Sequence, residues 1–152
     1  MEQVEFNCIF CTIIAKRAPA EIVYESDGAI AFLDIHPVTE GHTLVIPKKH
    51  CRNLFDLDDA SGAAIMHASR VVARALRKAF DADGLTVLQS NERAGGQDVF
   101  HYHAHLAPRF VGDGLMSRTE TDRKMNWHSR GKPAPEELAA IAAKIRAEIK
   151  DE

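Results

Sequence analysis

The sequence has little excess charge of either sign, no long apolar run and few cysteines, and each lack excludes a class of protein. Its 19 Lys and Arg nearly balance 22 Asp and Glu, for a formal net charge of −3 over 152 residues. Wrapping a polyanion needs many phosphate-neutralising cations, so a nucleic-acid partner is not expected. A local site for one small anion stays open. Apolar runs such as Leu44-Val45-Ile46 fall far short of the ~20 residues that span a bilayer, so no membrane partner is expected. The opening Met-Glu-Gln-Val-Glu-Phe carries acids where a secretory leader carries basic residues and then an apolar stretch. The expectation is a cytoplasmic protein. Three cysteines are an odd number, and in a reducing compartment the Cys8-Ile9-Phe10-Cys11 spacing reads as a metal-binding or redox pair rather than a disulfide staple. Internal repeats and low-complexity tracts are absent.

What is present is an ordinary globular balance, 45% hydrophobic and 27% charged residues, which fits one folded domain. Cys8–Lys16 is compatible with a short helix. Ile22–Ser26 and Ala29–Asp34 read as strands joined at Asp27-Gly28, a strong hairpin signal. A strand follows over His42–Pro47, and a short extended piece is expected around Asn53–Leu57. Asp58 or Asp59 is placed to cap a long helix whose Ile65, Ala68, Val72, Leu76 and Ala79 recur at helical spacing, closed by Asp83-Gly84. Gly84–Asn91 reads as a strand, Glu92–Asp98 as a Gly-rich loop and Val99–Arg109 as a final strand. Residues 112–133 show no sustained period. A last helix begins near Pro135 with the apolar stripe Leu138, Ile141, Ile145 and Ile149. The pattern predicts the α+β class: an antiparallel sheet of about five strands carrying one long helix, a short N-terminal helix and a C-terminal helical tail. Residues 1–111 form the expected main domain, with 112–152 packed on it.

The composition is odd in one respect. Of eight histidines, three fall in His101-Tyr102-His103-Ala104-His105. In a strand, alternate residues share a face, so these imidazoles point one way and Tyr102, Ala104 and Leu106 the other. The apolar set identifies the core face and leaves the histidines lining a surface or cleft. Two chemistries suit such a row: zinc ligation with a water to complete a catalytic site, or attack on phosphorus by a neutral imidazole whose neighbours hold the phosphate oxygens. The preceding loop, Asn91 to Asp98, favours phosphate, because paired glycines let backbone N–H groups approach an anion closely.

These residues carry a resemblance. His101-Tyr102-His103-Ala104-His105-Leu106-Ala107 fits the signature of the histidine triad (HIT) nucleotide hydrolases and transferases. Cys8-Ile9-Phe10-Cys11, Phe32 to Pro37, Gly41 to His50 and Gly96 to Phe100 match in family order. The resemblance implies a purine nucleotide or nucleotide conjugate as substrate, cleaved at its α-phosphate through a nucleotidyl-histidine intermediate on His103. His105 and His42 would donate hydrogen bonds to phosphate oxygens. Asp34 would accept from the ribose hydroxyls, with Phe32 and Ile35 beside the base. Asn91, Gly96, Gln97 and Asp98 match phosphate-loop positions, although the family often has a small hydroxyl residue where Asp98 brings a charge. Candidates to join Cys8 and Cys11 around a structural zinc are His50, Cys51 and the histidine row, and similar bacterial-type members use the counterparts of His50 and His101. The resemblance also implies a homodimer. Two other readings stand beside the hydrolase: a nucleotide-binding regulatory module with incidental turnover, and a zinc hydrolase with its metal in the triad. Trp127 is expected to pack on the domain or across a subunit interface.

Overall fold

Hydrophobic alternation and two turn signals build the centre of the molecule. In a computed structural model, which describes residues 7–116 and 125–151, the elements are α1 (Ile9–Ile14), β1 (Ile22–Glu25), β2 (Ala29–Leu33), β3 (Thr43–Pro47), α2 (Asp59–Phe80), β4 (Gly84–Gln89), β5 (Ala104–Arg109) and α3 (Pro135–Arg146). The five strands form one antiparallel sheet in the order β1-β2-β3-β5-β4. This is the α+β class read from the sequence. Residues 117–124 of the expected tail lie outside the described residues. Among the described residues, no helix is long and apolar enough to cross a membrane.

One face of the sheet carries α2 and α3. Val45 and Leu106 meet Ile65, Val72 and Leu76 of α2, while Leu138, Ala142 and Ile145 of α3 close the same core. Asp58 caps α2 by accepting from the Ser61 N–H at 2.8 Å, which satisfies one of the donors a helix start leaves open. The helix ends at Phe80 rather than at Asp83-Gly84, with Asp81 in the left-handed region at φ 49°. Gly28 is needed in the β1–β2 turn because a Cβ there would stand 2.7 Å from the Ala64 Cβ of α2. Gly41 has φ +88° and lies against the Phe80 ring, so it meets both demands at once.

The other face is covered too, which sequence alternation does not reveal. Ile30, Phe32, Leu44 and Ile46 pack against Phe10, Ile13 and Ile14 of α1. Every residue of β2 and β3 is therefore buried.

Two expected elements differ. The final strand starts at Ala104, not Val99. Beyond the Val45–Ala104 pair the partner strand reaches Pro47, which has no N–H to give. The Pro47 carbonyl accepts from the His101 side chain at 2.8 Å, and the Tyr102 N–H turns to the Cys51 carbonyl at 2.9 Å. The piece around Asn53–Leu57 is a turn rather than extended chain. There Asp56 accepts from the N–H groups of Arg52 and Asn53, both at 2.9 Å, and Asn53 accepts from the Phe55 N–H at 3.1 Å. Such local side-chain bonds compete with a strand ladder.

Candidate functional site

Although His101 and His103 precede β5, the three histidines stay in a row. The ring of Phe10 in α1 meets His101 edge-on at 5.8 Å and His103 at 5.3 Å, and His103 lies 5.0 Å from His105. Exposure grades along the row: His101 is fully covered, whereas the His105 side chain is 18% exposed. The row is therefore not an open surface. Its inner end is sealed under α1, and its outer end opens on a cleft of about 430 Å³. Ile13, Phe32, Ile35 and Leu44 make the apolar walls of that cleft, and Asp34, Asp98, His103 and His105 supply polar groups.

Hydrogen-bond partners fix the tautomers. A backbone carbonyl can only accept, so His103 Nδ1, 2.8 Å from the His101 carbonyl, carries a proton. The Nε2 of the neutral ring then holds a lone pair. On the next ring the order is reversed. The Val38 N–H donates to His42 Nδ1 at 3.1 Å, so the proton of neutral His42 sits on Nε2 and is given to His105 Nδ1 at 2.9 Å. His105 is left with its proton on Nε2. Burial pushes the His105 pKa down to about 4, with His42 and His103 adding to the effect. Burial lowers His42 as well, against the pull of Asp34. Trp127 stands edge-on to both rings, 5.4 Å from His42 and 5.8 Å from His105. It packs with Val38, Ala107 and Leu115 of its own domain.

Asp34 accepts from the His36 N–H at 2.7 Å through Oδ1, and its Oδ2 lies 3.6 Å from His42 Nε2 and 4.0 Å from His105 Nδ1. Beside the middle ring of the row, Asp98 Oδ1 lies 3.9 Å from His103 Nε2. The remaining loop residues take a different part. Asn91, Gly96 and Gln97 do not line the cleft. Asn91 accepts from the Leu54 N–H at 2.8 Å. Buried Gln97 accepts from the Glu92 N–H at 2.8 Å and Asn53 Nδ2 at 3.2 Å, and donates to the carbonyls of Arg52 at 2.7 Å and Val99 at 3.0 Å.

Glu92 itself has φ +60°, a strained conformation for a side chain of this kind. Arg52 holds its carboxylate through Nε at 2.7 Å and Nη2 at 2.9 Å, and Asn53 through Nδ2 at 2.7 Å. The Arg52 bond is the main reason the Glu92 pKa falls to about 2. Arg52, Asn53 and Glu92 are invisible to sequence spacing, because their partners are set only by the fold.

A second constellation adjoins the first. Cys8, Cys11, His50 and His101 place one ligand atom each within 4.8 Å of one another. His101 Nδ1 lies 3.4 Å from Cys8 Sγ, 3.6 Å from Cys11 Sγ and 3.1 Å from His50 Nδ1, and Cys11 Sγ lies 3.3 Å from His50 Nδ1. Ligand atoms around one tetrahedral zinc are ~3.3–3.8 Å apart. The donor set fits as well. His101 Nε2–H donates to the Pro47 carbonyl, leaving Nδ1 with a lone pair toward the sulfurs. Cys51 is buried but is not part of the cluster.

Asp34, His42 and His105 are also close enough to hold a cation, yet their tautomers oppose it. His42 Nε2 carries the proton because Nδ1 is engaged by the Val38 N–H, so the nitrogen facing the trio is a donor rather than a ligand. A metal held by Asp34, His42 and His105 does not fit this arrangement.

The profile of the HIT domain matches residues 15–112, and the chain belongs to the HIT family. It is 50% identical over 110 residues to "Protein hit" of Bacillus subtilis, covering 72% of this chain and 76% of that one. A histidine triad nucleotide-binding protein of Sulfolobus tokodaii superposes with a TM-score of 0.79 at 33% identity, covering 93% of this chain and 91% of that one. A zinc-bound histidine triad family protein of Mycobacterium smegmatis does so with a TM-score of 0.75 at 35% identity, over 93% and 91% of the two chains. The fold is that of a nucleotide-binding HIT protein.

Proposed function

We propose that the protein is a hydrolase or transferase that cleaves a phosphoanhydride or phosphoramidate bond at the α-phosphate of a nucleotide, with His103 as nucleophile. The observation that carries this reading is the 2.8 Å bond from His103 Nδ1 to the His101 carbonyl, which leaves the Nε2 lone pair toward the cleft. Nε2 attacks the α-phosphorus, a P–N bond to the histidine forms, and the bond to the leaving group breaks with its electron pair. Water then hydrolyses the adduct to the nucleoside monophosphate and restores the imidazole.

His105 supports the attack. Its Nε2 proton, kept in place by donation from His42 to Nδ1, meets a phosphate oxygen whose charge grows in the transition state. Asp34 has oxygen lone pairs for the ribose hydroxyls, and Phe32 and Ile35 give apolar cover to the base. We assign Cys8, Cys11, His50 and His101 to a structural zinc, which when bound ties the N-terminal segment to the residue whose carbonyl orients His103. A zinc-bound relative supports the choice of metal, and the donor set here supports the site.

The test is to mix the protein with an adenosine 5′-phosphoramidate, quench in alkaline denaturant and measure intact mass. A nucleotidyl adduct on wild type is expected, absent in His103→Asn together with a fall in turnover on the order of 10⁴-fold or more. Full activity in His103→Asn overturns the mechanism. Tight nucleotide binding with neither adduct nor turnover in wild type favours the regulatory-module reading instead.

A further inference from the structure

We propose that Asp98 selects the leaving group by charge, favouring substrates whose departing half carries a cation over those whose departing half is a polyphosphate. The inference rests on the nucleotidyl-transfer reading above.

Four side chains stand in sequence along the cleft. Asp34 is 4.0 Å from His105, His105 adjoins His103, and His103 Nε2 is 3.9 Å from Asp98. With the ribose held at the Asp34 end and phosphorus at His103 Nε2, the third substituent of the α-phosphorus runs toward Asp98. Beyond Asp98 lies a second hollow of about 330 Å³, lined by Asn7, Cys8, His50 and Phe100, and Ile9, Asp98 and Val99 belong to both spaces. Asp98 therefore stands on the ridge between the two spaces, beside the path of a leaving group.

Its carboxylate is held there but not neutralised by that hold. Oδ1 accepts from the Val99 N–H at 2.9 Å, and the side chain is 86% exposed. Two cations approach Phe100 at the edge of the hollow. Arg52, 4.2 Å from the ring centroid, is engaged by Glu92, whereas Arg93, at 5.7 Å, is the charge that opposes Asp98. Asp98 lines both spaces and stands 3.9 Å from His103 Nε2, whereas Arg93 lines neither. A polyphosphate tail brings several negative charges past a carboxylate, while an ammonium on the departing amine finds a partner. Because the site is open to water, the discrimination is modest and depends on salt.

The test compares three substrates: the adenosine 5′-phosphoramidates of 1,6-diaminohexane and of hexylamine, which differ only in the cationic tail, and diadenosine tetraphosphate. In wild type at low ionic strength, kcat/KM for the diamine conjugate is expected to exceed that for the hexylamine conjugate by about five- to tenfold. Asp98→Asn keeps the acceptor for the Val99 N–H, and it should bring this ratio to near one and raise kcat/KM for the polyphosphate by a similar factor. Salt at 0.5 M should erase the wild-type preference. Turnover with ratios unchanged in Asp98→Asn overturns the charge assignment alone, as does a ratio that moves in Arg93→Gln but not in Asp98→Asn. If wild type turns over none of the three, both this inference and the proposed function fall.

Discussion

At the scale of single residues, the site is a matter of where protons sit. His42, His103 and His105 are the same residue type, yet His103 carries its hydrogen on Nδ1 while His42 and His105 carry theirs on Nε2, because each meets a different backbone group or neighbour: the His101 carbonyl, the Val38 N–H or the ring of His42. This order survives only while the rings are neutral, and burial favours the neutral form of His42 and His105. The His105 pKa falls to about 4 from an ordinary 6.5. Between those values the unfolded chain takes up a proton that the folded chain refuses, so stability falls as pH drops from about 6.5 to 4 and is unaffected by this group above 6.5. The complete loss amounts to up to about 3 kcal/mol. Urea unfolding across that pH range should give a shallower slope for His105→Gln than for wild type. Equal slopes would show that His105 is not the group responsible.

At the scale of elements, the loop before β5 determines where the histidine row and Asp98 stand, and one side chain ties it together. Gln97 makes four hydrogen bonds, accepting two through its oxygen and donating two through its nitrogen. Gln97→Ala leaves those partners unpaired in a buried place and should cost about 2–4 kcal/mol. Gln97→Glu is nearly isosteric but puts a carboxylate oxygen against the carbonyls of Arg52 and Val99, so it should be no milder. Denaturant midpoints for both variants within about 0.5 kcal/mol of wild type would refute the loop's dependence on this amide. The same loop marks the limit of sequence reading. The alternation His101 to Ala107, the Asp27-Gly28 turn and the period of α2 depend on neighbours a few residues away, and they were legible. The clamp joining Arg52, Asn53, Glu92 and Gln97 depends on residues about 40 positions apart. The contact of Trp127 with His42 and His105 depends on the path of an irregular tail. No periodicity encodes either. Pro47 was visible as a strand end, but its effect in stopping β5 at Ala104 required knowing which strands pair.

At the scale of the whole molecule, the two constellations share one residue. The His101 side chain faces Cys8, Cys11 and His50, while its carbonyl orients the His103 ring. The short helix α1 carries Cys11 on one side and, through Phe10 and Ile13, a wall of the cleft on the other. Its six residues are too few to hold a helix by propensity alone, so its position depends on packing and on the Cys–His cluster. Removal of a bound zinc should therefore loosen the cleft wall without dissolving the sheet, whose main core lies on the opposite face. Protein as isolated is expected to hold about one zinc per chain by metal analysis. Stripping it with a strong chelator, or replacing Cys8 with Ala, should lower Tm by about 5–10 °C and raise the Kd for AMP several-fold. Limited proteolysis should then cut first in the segment around residues 7–20, with β2 to β5 still protected. A chelated protein with unchanged Tm, protease pattern and AMP affinity would mean that hydrophobic contacts alone hold α1. In that case the cysteines and histidines are neighbours with no structural metal between them.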